Sequence, residues 1–119
     1  MLLSVHAPTI SPSAVATVRV IHVLEGSYLP GGTKFLDFSA DLGGGIPHDC
    51  PPISHYRIII RDAAWLRRLD VEAGARLSPR ALLALLSTEV DEPVDASPAR
   101  AARVTVAGII LHDGWGETG

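Results

Sequence analysis

Cysteine is almost missing from this sequence: Cys50 is the only one in 119 residues. One thiol cannot close an internal disulfide, so a disulfide scaffold is excluded and a reducing compartment is favoured. Aromatic residues are also scarce, with two each of Phe, Trp and Tyr. Single-stranded nucleic acid is gripped largely by aromatic stacking. That scarcity, with a net charge of −3 and a pI near 5.9, argues against a nucleic-acid partner. No apolar run approaches the roughly 18–20 residues of a membrane helix. The start, Met1 to His6, has neither a basic n-region nor a long apolar stretch, so no signal peptide is expected and the cytoplasm is the expected location.

What is present is apolar matter, 47% of the chain against 19% charged, enough for one real core and too little sequence for two. Residues 1–14, with Pro8 and Pro12, are expected to form an extended arm holding a short edge strand, Leu2–His6. A single domain is expected over 15–112, followed by a short tail, 113–119.

Val15 to Leu24 is rich in β-branched residues on both alternating faces and reads as a strand covered on both sides. Pro30-Gly31-Gly32 turns the chain, and Thr33 to Ala40 resumes as a strand. Asp41 to Pro52 reads as a loop, stiffened by prolines and loosened by Gly43-Gly44-Gly45. His55 to Arg61 and Arg103 to His112 read as two further strands, with Gly108 marking a bulge or a close neighbour. Asp62 reads as the cap of a short helix over 63–69. Ser78-Pro79 reads as an N-cap with proline at the first turn of a helix whose stripe is Leu82, Leu83, Leu86 and Val90. The expected class is therefore α+β: a small, twisted, mostly antiparallel sheet with one or two short helices.

The run Val18-Arg19-Val20-Ile21-His22-Val23-Leu24-Glu25-Gly26-Ser27, then Pro30-Gly31-Gly32, Cys50 and Tyr56-Arg57-Ile58-Ile59-Ile60 resembles the core of netrin-like, inhibitor-type OB barrels over about residues 17–60. The resemblance implies a five-stranded OB-like barrel. The amino-terminal cysteine pair that carries inhibition in that family has no counterpart here.

Three chemistries can be read from the side chains. His48, Asp49, Cys50 and His55 crowd one loop and are ligand types that zinc or another transition metal accepts. Read otherwise, the loop is a stiff surface bend whose polar groups face water separately. Cys50 with His55 or His48 could form a nucleophilic pair, and His112 beside Asp113 could serve as a base. Between Arg57 and Arg80 the chain carries a local surplus of three positive charges, six arginines against three acids, and Arg57, Arg61, Arg67 and Arg68 are candidates for holding an anion. No cofactor is demanded by any motif. With no strong catalytic signature and a high apolar fraction for its size, the leading expectation is a non-catalytic accessory module that binds a protein partner or its own copy.

Overall fold

Residues whose side chains alternate between core and solvent are placed by an extended backbone, and this chain uses that pattern almost throughout. The computed structural model describes residues 1–10, 14–41 and 53–109. Every regular element among them is a strand: β1 (Leu2–His6), β2 (Val15–Ile21), β3 (Tyr28–Leu29), β4 (Thr33–Asp41), β5 (Ile53–Ile60), β6 (Ala64–Leu69), β7 (Arg76–Leu77), β8 (Leu82–Ser87), β9 (Arg100–Ala101) and β10 (Val104–Ile109). They form two five-stranded sheets, ordered β3-β6-β8-β1-β9 and β10-β5-β4-β2-β7. The first is mixed, because β1 runs parallel to β9 and antiparallel to β8; the second is antiparallel.

The sheets share one core. Leu3, Val5, Leu66 and Leu86 from the first meet Val18, Phe35, Leu36, Phe38, Ile58 and Ile60 from the second, all essentially without solvent contact. Leu2–His6 is an interior strand of the first sheet, paired on both sides. Gly31 lets the turn before β4 press close to β5: a Cβ there would stand 2.9 Å from the Arg61 carbonyl oxygen. No helix among the described residues is long and apolar enough to cross a membrane.

The α+β expectation is overturned, and so is the OB-like barrel. Both expected helices are strands. Over 63–69, Ala64 and Leu66 are buried while Trp65 and Arg67 are not, a period of two that the Trp65, Leu66, Leu69 spacing concealed. Asp62 caps no helix. In Leu83-Ala84-Leu85-Leu86-Ser87 every residue is buried, because β8 lies in the middle of its sheet and is covered on both faces. A continuous apolar run fits a helical stripe and a doubly covered strand equally well. Ser78-Pro79 starts a turn instead: Ala81 N–H donates to the Ser78 carbonyl at 3.1 Å, and Arg80 takes a φ of 63° at the third position. Among the described residues no barrel closes, because each sheet ends in strands paired on one side only, β3 and β9 in one and β10 and β7 in the other. Gly108 marks neither a bulge nor a tight contact. The β10–β5 register is continuous past it, and a Cβ there would meet nothing within 4 Å.

Candidate interaction surface

The outer face of the second sheet carries a polar cluster spanning three strands. On β4 the side chains of Leu36, Phe38 and Ala40 enter the core, so Asp37 and Ser39 face outward. Both are covered nonetheless, at 8% and 3% exposure, by longer side chains from flanking strands. Asp37 sits directly across from Arg57 on β5. The guanidinium donates from Nε to Oδ1 at 2.8 Å and from a terminal nitrogen to Oδ2 at 3.2 Å. His22 Nε2 approaches Oδ2 at 3.1 Å from the end of β2. Burial pushes the Asp37 carboxyl up, but hydrogen bonds from Arg57 and His22 outweigh it, leaving the group below its ordinary range. Arg19, the extra residue at a bulge in β2, donates Nε to Ser39 Oγ at 2.9 Å.

This cluster is a brace across three strands. Asp37→Asn is expected to lower stability by about 1 kcal/mol at neutral pH, since Arg57 is partly solvated and regains water. The contribution is present above the unfolded carboxyl pKa of about 4 and fades as pH falls below it. Urea unfolding of both chains at pH 7 and pH 3 measures this; a gap that widens in acid is the contrary result.

Only part of the sequence-derived site lies among the described residues. His55 lies on β5 opposite Ser39 and Ile109. Its suggested co-ligands His48, Asp49 and Cys50, and the suggested base His112, fall outside the described residues. Among the described residues no three His, Cys, Asp or Glu side chains gather as metal ligands. The four arginines do not converge. Arg57 holds Asp37, and Arg61 Nε donates to Thr105 Oγ1 at 2.8 Å. Arg67 reaches the Glu92 carbonyl at 2.5 Å, and Arg68 pairs with Asp70 at 2.9 Å. Arg57 lies on β5 and Arg61 just beyond its end, whereas Arg67 and Arg68 lie on β6 of the first sheet.

The other surface feature is an edge. β3, β7 and β9 are two residues each, and such short edges offer little to pair with. β10 is six residues long, Val-Thr-Val-Ala-Gly-Ile, without charge or proline. Its phase follows from one bond: Arg61 N–H donates to the Arg103 carbonyl at 2.8 Å. In an antiparallel pair, alternate residues turn both backbone groups to the neighbour. Arg103, Thr105, Ala107 and Ile109 therefore face β5, and Val104, Val106 and Gly108 present N–H and C=O on the open side. Among the described residues no strand lies there. Sequence reading found the strand but not its edge position, which no local pattern encodes.

Comparison with protein-family models, curated proteins and solved structures finds no match for this chain.

Proposed function

We propose that the chain is a non-catalytic, self-associating interaction module that adds a strand to the open edge of its second sheet. The observation that carries the reading is β10, a six-residue strand without charge or proline at the end of its sheet among the described residues, three of whose residues turn backbone donors and acceptors away from β5. The arginines that would take an anion are held by Asp37, Thr105, the Glu92 carbonyl and Asp70, so an anion-binding role draws less support.

Gly108→Pro is the test. Proline there removes an N–H that faces away from β5 and places its ring in the path of an added strand, and a Cβ at this position meets nothing within 4 Å. Sedimentation velocity is expected to show a dimer that grows with concentration in the parent chain and at least tenfold weaker association in the variant, with circular dichroism unchanged. A parent chain that stays monomeric at millimolar concentration rejects the proposal.

A further inference from the structure

We infer that Ser4 is a nucleophilic hydroxyl, activated by His6, at which the chain takes an acyl group from an activated carboxylic ester. The reaction uses the hydroxyl once and modifies the chain, so the inference goes beyond the self-association proposed above and does not depend on it.

Leu3 and Val5 enter the core, so Ser4 and His6, alternate residues of β1, project together from the outer face of the first sheet. His6 Nε2 lies 2.9 Å from Ser4 Oγ, and His6 Nδ1 lies 3.1 Å from the Arg80 carbonyl oxygen. A carbonyl can only accept, so Nδ1 carries the proton. Nε2 of the neutral ring is then the acceptor, and the Ser4 hydroxyl donates to it. Nucleophile, base and orienting group follow one another in the order that activates a serine. Both ends of this chain of bonds are fixed. Arg80 holds a left-handed φ of 63°, an uncommon conformation for a residue with a side chain. Its N–H donates to the Ala7 carbonyl at 3.0 Å, and the Ala7 N–H donates to the Ala81 carbonyl at 2.8 Å. The turn so pinned aims the Arg80 carbonyl at the ring. Ser4 sits on a strand paired on both sides, opposite Leu85 and Ala101. It is 6% exposed, which limits competition from water for its hydroxyl, while the His6 imidazole and the small Ala101 beside it are exposed.

In the reaction, Ser4 Oγ forms a bond to the acyl carbon and its proton passes to His6 Nε2. The bond from that carbon to the leaving oxygen then breaks, and the departing alcohol or phenol takes the proton from Nε2. His6 ends neutral, and no further reactant is consumed.

The probe is p-nitrophenyl acetate, applied to the whole chain in a Cys50→Ser background, with acetylated residues located by peptide mass mapping. Ser4 is expected to react roughly 100-fold faster than the exposed Ser78, and His6→Gln to slow Ser4 by about the same factor with circular dichroism unchanged. Acetylation of Ser4 no faster than that of Ser78 overturns the inference. So does an undiminished Ser4 rate in folded His6→Gln. Where His6→Gln does not fold, the ratio of Ser4 to Ser78 in the parent chain decides.

Discussion

Replacing Asp62 by alanine is expected to lower the unfolding free energy by about 2–3 kcal/mol. The carboxylate, 6% exposed, sits in the link between β5 and β6 and collects five N–H donors from across the sheets. Arg100 donates two bonds, at 3.1 and 3.0 Å. Arg103 donates two from its guanidinium, at 3.2 and 2.8 Å, and one from its backbone at 2.7 Å. The side-chain hydrogen bonds from Arg100 do most, against the opposing pull of burial, to hold the Asp62 carboxyl far below the ordinary range; Arg103 adds to them. Alanine leaves a backbone N–H and two guanidinium groups without their acceptor. The guanidiniums lie 40% and 74% exposed and recover water, so the loss stays below that of a fully buried pair.

The pH dependence has a definite sign. Because the folded carboxyl titrates lower than the unfolded one, its stabilisation is complete above about pH 4 and drains away as the pH drops further. Urea midpoints for the parent chain and for Asp62→Asn should therefore converge between pH 4 and pH 2. Equal midpoints at pH 7 would show that this carboxylate does not anchor the β9–β10 segment.

Phe38→Ala should have a larger effect, about 4 kcal/mol, a substantial share of the 5–15 kcal/mol typical of a domain. Phe38 is 1% exposed on the inner face of β4, an interior strand of its sheet. Its ring stacks on Tyr56, its cross-strand partner, with centroids 5.4 Å apart. Hydrogen bonds on both sides of β4 prevent the backbone from moving in to fill the space. Phe38→Leu, which keeps most of the volume, should lose well under half as much. Chemical denaturation reads both, and a Phe38→Ala loss below 2 kcal/mol would mean that the two sheets are not packed through this ring.

Strands with clear β-branched or alternating character were legible from residues alone. The stretches around β2, β4, β5 and β10 all carry that signal, and the turn at Pro30-Gly31-Gly32 is where composition puts it. β6 and β8 were not legible, because leucine-rich runs fit either period and only the second sheet lying across them decides. The two-residue strands β3, β7 and β9 have no pattern to detect; each exists because a longer neighbour supplies its hydrogen bonds. Asp37 and Arg57 are twenty residues apart and meet through register, a property of two strands together. Asp62 looked like a helix cap because an aspartate before an apolar run has the same local appearance whether it caps a turn or awaits distant arginines.

The position of β1 bears on how the molecule is made. Leu2–His6 pairs with Leu82–Ser87 and Arg100–Ala101, strands far from it along the sequence. Leu2, Leu3 and Val5 are buried only once those distant strands are in place, and topologies of this kind close slowly.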